Sequence, residues 1–222
     1  MNKLLSITII ILIFSSNLKA QLPTPSKKDS LINEVCISLK ENQLLADTSQ
    51  IFIVYKDFFR PFLSEYQEDK RELIAKSLYY RAQRVCSEFK LLLDRLNPPN
   101  EYRSIKEIPK QIIKNKECKS FKSITNFYYK EHNGDTVNLN ISDKYWIDNF
   151  KNGTYSKLKI DWEGDCQFTI TFLESNNELR ANFSYPGDKY KYTMINKTEN
   201  YFEVAIEVVG TEQMELFKLY YK

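Results

Sequence analysis

Residues 150–172, with the sequence FKNGTYSKLKIDWEGDCQFTITF, form the stretch that decides the fold. Near its end, Phe168, Ile170 and Phe172 alternate with polar residues, and Cys166 continues the apolar set. Side chains of a strand point alternately to its two faces, so this spacing puts the apolar residues on one face. The pattern predicts a β-strand in a sheet with one buried side and one polar side.

The C-terminal stretch at residues 202–222, FEVAIEVVGTEQMELFKLYYK, repeats this alternation from Phe202 to Val208. Similar runs begin after Cys118 and are separated by short polar turns. The turns are Asn133-Gly134, Glu163-Gly164, 175–177, 185–188, 197–200 and Gly210. An Asn-Gly pair between two such runs is a strong hairpin signal. The number of alternating runs between these turns predicts an antiparallel β meander of about eight strands, which is typical of a curled sheet or a small barrel.

The N-terminal half has helical spacing instead. Three apolar stripes recur every three or four residues, at 29–45, at 51–62 and at 73–96. Pro61 is expected to kink or end the second helix, because its ring removes a hydrogen bond. The sequence therefore predicts an α+β fold. A three-helix domain at 21–97 precedes a polar, proline-containing linker at 98–117 and an antiparallel β domain at 118–222.

The first 20 residues have the order of a secretory signal peptide. A charged start with Lys3 precedes an apolar run at 4–14 and a small residue, Ala20, at the expected cleavage site. Cleavage would remove two of the 32 Lys and Arg and leave 30 against 29 Asp and Glu, a net charge of about +1. Nucleic-acid binders carry a concentrated positive surface. We therefore expect a periplasmic or extracellular protein with no nucleic-acid partner and no membrane span after cleavage.

The cysteine count suits an oxidising compartment. The chain has four cysteines, an even number, which favours two disulfides over metal ligation or a reactive thiol. Three pairings are possible. The favoured one joins Cys36 to Cys86 and Cys118 to Cys166, because each bridge then stays within one half of the chain.

No pattern in the sequence points to a catalytic, cofactor or metal site. Acidic residues at 161, 163 and 165 suggest a calcium loop, but its sixth position is Cys166 instead of glycine and its twelfth is Phe172 instead of glutamate. A solvated hairpin turn is the favoured interpretation. The single histidine, His132, is expected at a turn tip, and one exposed histidine cannot supply a multi-histidine site. We therefore expect a non-enzymatic protein without a cofactor.

Three segments of the second half carry a resemblance to a family. They are 150–155 (FKNGTY), 159–166 (KIDWEGDC) and 173–177 (LESNN). Together with the cysteine placement, they resemble small uncharacterised secreted bacterial proteins with a disulfide-linked helical half and a lipocalin-like β half. The Phe-x-x-Gly-Thr-Tyr start is also similar to the first strand of lipocalin-type and fatty-acid-binding barrels, with Tyr155 where tryptophan is usual. The resemblance implies the fold and brings no activity.

Three hypotheses of function follow. The first is a secreted protein-interaction module of the cell envelope, with an unknown envelope or extracellular protein as partner and Phe58, Phe59 and Phe62 as a possible interaction surface. The second is a lipocalin-like binder of a small apolar ligand, because one sheet face is apolar and small barrels often hold one ligand. The third is a carboxylate-dependent envelope hydrolase, which needs two facing acids.

The signal-peptide hypothesis predicts the mass of the exported protein. Residues 1–20 should be missing from protein purified from the envelope or the medium, so that its chain begins at Gln21. Intact-mass spectrometry measures this directly. A mass that includes residues 1–20 would contradict the predicted cleavage.

Overall fold

The computed structural model describes residues 22–131 and 134–221. The predicted signal peptide at 1–20 and His132 lie outside the described residues. The fold is α+β, as the sequence predicts, with helices in the N-terminal half followed by antiparallel strands.

Between residues 22 and 97, five α-helices and one π-helical segment form the described part of the N-terminal half. They are α1 (Pro25–Glu41), α2 (Asp47–Ile53), the π-helix (Val54–Phe59), α3 (Arg60–Ser64), α4 (Glu68–Val85) and α5 (Ser87–Leu96). The Thr24 hydroxyl accepts a hydrogen bond from the Lys27 amide and caps α1. Ile32, Val35, Leu78 and Leu92 are among the side chains that form the core of this half.

The second and third predicted helices differ from the observed ones. Pro61 does not end the second helix. Just before Pro61 the backbone changes to π-helical hydrogen bonding, in which the Arg60 amide donates to the Tyr55 carbonyl. The third prediction, one helix to Leu96, is wrong, because Cys86 has an extended conformation (φ −116°, ψ 104°) between α4 and α5. The predicted Cys36–Cys86 disulfide is present at this break and links α1 to it.

Nine strands and two further helices follow. They are β1 (Tyr102–Ser104), α6 (Asn115–Lys122), β2 (Asn126–Lys130), β3 (Thr136–Ile141), β4 (Tyr145–Asn149), β5 (Tyr155–Trp162), β6 (Gln167–Ser175), α7 (Glu178–Phe183), β7 (Lys189–Lys197), β8 (Tyr201–Val208) and β9 (Met214–Tyr221). Strands β2 to β9 pair in chain order, and β9 also pairs with β2. The meander is therefore a closed eight-stranded barrel, with β1 as an additional strand on β9.

The alternation that predicts the barrel is visible in β6. Phe168, Ile170 and Phe172 are all buried, whereas the residues between them are partly exposed. Strand β8 follows the same pattern with two differences, because Ala205 on its outer face is also buried and Ile206 on its inner face is only partly buried.

The segment predicted as a linker covers this outer face. Strand β1 pairs with β9, and Ile105 and Ile108 pack against a small cluster formed by Ile195, Ala205 and Leu216. The amides at positions 112 and 113 donate to the carbonyl at 195. Most of residues 98–117 thus runs along the barrel wall, and α6 begins within this range.

Helix α6 closes one end of the barrel, and we call its inward side chains, Cys118 and Phe121, the plug. The Phe121 ring lies 4.6 Å from that of Phe127 and 5.1 Å from that of Phe202, measured between centroids. Both plug residues are fully buried. The predicted Cys118–Cys166 disulfide is present and fixes the plug to the start of β6.

No helix among the described residues is both long enough and apolar enough to cross a membrane.

The Cys118–Cys166 bridge should stabilise the barrel substantially. It joins residues 48 positions apart, and a loop of that length corresponds to about 4 kcal/mol of unfolding free energy on the chain-entropy account. We expect the double variant Cys118→Ala/Cys166→Ala to lose a large part of this free energy in urea unfolding. Amide exchange in α6 should also become faster.

The matched control is Cys36→Ala/Cys86→Ala, which removes a bridge of 50 residues from the helical half. Its amide exchange should increase around α1 and leave α6 protected. Unchanged protection of α6 in the first variant would show that the plug does not depend on its disulfide.

Candidate ligand-binding cavity

The helical half packs on the barrel end opposite the plug, which we call the mouth. Arg81 of α4 is central to this contact. Its guanidinium bonds to Asp29 of α1 at 2.8 and 3.0 Å and to Asp188, just before β7, and it lies 4.0 Å from the Tyr185 ring centroid. Burial alone would lower the pKa of Arg81, but the two carboxylates outweigh it and raise that pKa. The guanidinium therefore stays charged and connects both halves.

Two further contacts hold the halves together. The Gln213 side-chain amide, between β8 and β9, donates to the carbonyls of Gln83 and Arg84 at the end of α4. Lys90 of α5 lies 3.2 Å from the Glu215 carboxylate on β9. Helix α4 also packs along α7. The mouth is thereby covered by α7 and by parts of α4 and α5.

A cavity of about 510 Å³ lies between this cover and the interior of the barrel. Its walls are mainly apolar. They include Trp146, Leu158, Ile170, Phe172, Leu179, Phe183, Ile206, Val208 and Phe217. Such volume and lining are typical of pockets that hold small organic molecules.

A polar network occupies one side of the cavity. Arg180 of α7 bonds through Nη2 to the Glu131 carboxylate and, at 3.2 Å, to the Tyr129 hydroxyl. On β4, the Trp146 indole N–H donates to Asp148 Oδ1 at 3.0 Å. Trp146 and Asp148 are two residues apart on one strand, so both point inward.

The ionisation of these groups follows from their enclosure. Burial raises the pKa of Asp148 from 3.8 to about 6, although the Arg180 charge and hydrogen bonds from Trp146 and Tyr129 oppose the shift. Burial also raises the pKa values of Tyr129 and Tyr192 well above 10, so both hydroxyls remain neutral. The cavity thus contains a carboxylate at neutral pH whose charged form is poorly stabilised.

The aromatic residues predicted as an interaction surface are mostly inside the helical half. Phe59 and Phe62 are buried in its core, and Phe58 is partly buried against it. The exposed aromatic side chains nearby are Phe52 and Tyr55. Binding of a partner by Phe58, Phe59 and Phe62 stays a prediction, and it requires a partner that contacts only the accessible parts of these rings.

The acidic residues at 161, 163 and 165 lie at the β5–β6 hairpin. Asp161 contacts Lys159 at 2.7 Å, and Asp165 lies 3.7 Å from both Lys119 and Lys122. Among the described residues, the group with metal-ligand spacing comprises Cys36, Cys86 and Glu88. Both of its sulfur atoms are consumed by the disulfide.

Three functional candidates of the cavity were not identified from the sequence. Asp148 had a detectable signal, because it lies in phase with Trp146 and is therefore a carboxylate on the apolar face of a strand. Tyr129 is one of many strand tyrosines, and nothing distinguishes it. Arg180 lies on α7, where the sequence shows only a turn and no apolar stripe.

Comparison of the chain with protein-family models, with curated proteins and with solved structures gives no match. The resemblance to secreted bacterial proteins therefore stays a prediction.

The buried carboxylate predicts a pH-dependent stability difference. Because the folded-state pKa of Asp148 is raised, its contribution is most favourable below about pH 4 and is lost as the pH rises through about 6. Asp148→Asn keeps an acceptor for Trp146 and removes the charge. We expect its unfolding free energy, relative to the parent protein, to improve by up to about 3 kcal/mol between pH 4 and pH 8.

Urea titrations at both pH values measure this difference. Asp161→Asn is the control, since Asp161 is exposed on the outer face and its replacement should change stability by less than about 0.5 kcal/mol at either pH. A difference for Asp148→Asn that does not vary with pH would contradict the assigned burial of charge.

Proposed function

We propose that this protein is a non-enzymatic binding module that holds a small, largely apolar ligand inside its barrel. The observation that carries the proposal is the cavity of about 510 Å³, with apolar walls and a few polar groups on one side. The plug closes the far end of the barrel, and the helical half covers the mouth. A ligand in this space would bury most of its surface, and apolar contact would supply most of the affinity.

The distribution of acids supports binding over carboxylate-dependent hydrolysis. Glycosidase-type hydrolysis needs two carboxyl groups that face the substrate. In this cavity Glu131 is paired with Arg180, and Glu215 is paired with Lys90. Only Asp148 among its described acidic residues lacks an ion-pair partner within 4 Å.

The two disulfides support a site of action outside the reducing cytosol. A ligand carrier in the periplasm or in the medium is the form of the proposal that fits the predicted signal peptide.

A protein-interaction role is the second candidate, and exposed side chains of the helical half support it. Phe52 of α2 and Tyr55 of the π-helix are 61% and 56% exposed, and Leu44 is 96% exposed. Crosslinking from position 44 in the native compartment tests this role. One specific partner, lost in Phe52→Ser/Tyr55→Ser, would support it, and strictly monomeric behaviour without a partner would argue against it.

Filling the cavity should abolish ligand binding. Ile206 lines the cavity from β8 and is only partly buried, so Ile206→Trp would place an indole in the ligand space. We expect native mass spectrometry of the parent protein, purified from its own compartment, to detect a bound small molecule. We expect none in the variant.

Leu173→Trp is the matched control, because Leu173 is exposed on the outer side of β6. It should retain the ligand. An uncharged naphthyl fluorophore provides a second readout, with enhanced emission in the parent and the control alone. Equal binding by all three proteins would place the ligand elsewhere and contradict the proposal.

A further inference from the structure

We propose that the ligand carries a positively charged amine, and that the Asp148 carboxylate binds this amine at one side of the cavity. This inference rests on the proposed function, since it assigns a chemical class to the ligand of the same cavity. It excludes a fatty acid or another apolar anion as the preferred ligand.

The pairing of charges around the cavity is the first argument. Six charged residues line it, and five have ion-pair partners among the described residues. Arg180 is paired with Glu131, Lys90 with Glu215, and Lys130 with Glu101 outside the cavity. Asp148, the sixth, has no cation of the described residues within 4 Å and is only 6% exposed. Among the described acidic residues of the lining, Asp148 is therefore the one without a direct ion pair.

The hydrogen bonding of Asp148 is also incomplete. An ionised carboxylate has about four lone-pair positions for donors. Trp146 fills one through its indole N–H and the Tyr129 hydroxyl supplies a second hydrogen bond, which leaves about two positions for a ligand. An unpaired buried charge is costly unless a partner is supplied. An ammonium group of the ligand would supply both the opposite charge and further donors.

The aromatic lining suits a cation as well. Trp146, Tyr129, Tyr190, Tyr192 and Phe217 all line the cavity, and the faces of aromatic rings attract ammonium groups. The Tyr192 hydroxyl makes no hydrogen bond with the described residues, so it is available as an acceptor for an ammonium N–H.

Arg180 is the feature that would favour an acidic ligand, but its guanidinium is already engaged. Nη2 bonds to Glu131 and Tyr129. Its Nε lacks a partner among the described residues, but this atom is enclosed and has no accessible surface for a ligand. A carboxylate ligand at Arg180 would have to share the guanidinium with Glu131, whereas an amine reaches Asp148 without disturbing an ion pair.

Octylamine, octanol and octanoate share an eight-carbon chain and differ in their headgroups. Calorimetric titration of each into the full-length protein at pH 7.5 tests the inference. We expect octylamine to bind at least about tenfold more tightly than octanol, which is the typical effect of a charged hydrogen bond. Octanoate should bind more weakly than octanol. Asp148→Asn should remove the advantage of octylamine and leave octanol binding within about twofold.

The pH dependence gives an independent readout. Octylamine remains charged, so its affinity should fall by up to about tenfold per pH unit below pH 6 as Asp148 becomes protonated, and should level off once its advantage over octanol is lost. The other titratable or charged groups facing Asp148 are Tyr129, Glu131, Arg180 and Tyr192. Loss of the pH dependence in Asp148→Asn would assign it to Asp148, and its persistence there would count against the inference.

The two proposals fail in different ways. If octanol does not bind and Ile206→Trp changes nothing, the proposed cavity function is wrong. If octanol binds but octylamine binds no better, or if Asp148→Asn weakens both probes equally, the cavity binds ligands but the amine inference is overturned. Tightest binding by octanoate would assign the headgroup to Arg180 instead of Asp148.

Discussion

Hydrogen bonding of β9 to both β8 and β2 is the constraint on which the remaining structure depends. Without it, the strands would form an open sheet with two edges and no interior. The contact with β2 is short among the described residues, in which Phe127 and Tyr128 pair with the end of β9. Further along, β9 pairs with β1. One strand thus closes the barrel near the plug and accepts an additional strand towards the mouth, where the cavity lies.

Closure of the barrel encloses an interior with two ends, and different kinds of contact cover the two ends. At the plug, the Phe121 ring stacks on the rings of Phe127 and Phe168 inside the barrel. At the mouth, the cover is built from charged and polar contacts, with Arg81 between Asp29 and Asp188 and Gln213 on the end of α4. Arg81 is nearly fully buried, and its loss would leave Asp188 with Arg84 as its remaining cation and would break the link to Asp29. The apolar end contributes stability, and the polar end holds the cover in one orientation while a cavity remains beneath it.

The sequence predicts the parts of this fold that depend on local periodicity. Alternation across Phe168, Ile170 and Phe172 identifies a strand, and confining each disulfide to one half gives the correct cysteine pairs. Closure is not predictable in this way, because the β2–β9 contact joins residues more than 90 positions apart. Helix α7 buries no side chain completely and has no stripe, and the break at Cys86 is a single extended residue within a continuous stripe. The cavity depends on barrel closure, on helix α7 and on the break at Cys86. Because the sequence predicts none of these three features, Asp148 alone among the polar residues of the cavity had a signal in the sequence.

Asp148 also connects stability with binding. A carboxylate in an apolar cavity lowers the stability of the empty protein, since its charged form has lost water and gained only part of the hydrogen bonding that it needs. Elsewhere in the cavity the protein provides partners, and the pairs Arg180–Glu131 and Lys90–Glu215 show that suitable cations are within reach of this fold. The lack of an ion-pair partner for Asp148 is therefore a local property of the β4 wall of the cavity. It does not reflect a shortage of cations in the protein. A molecule that enters the cavity with the opposite charge relieves the cost of burying the Asp148 carboxylate. The folding free energy that the empty barrel loses through this carboxylate then contributes to the affinity for that class of ligand.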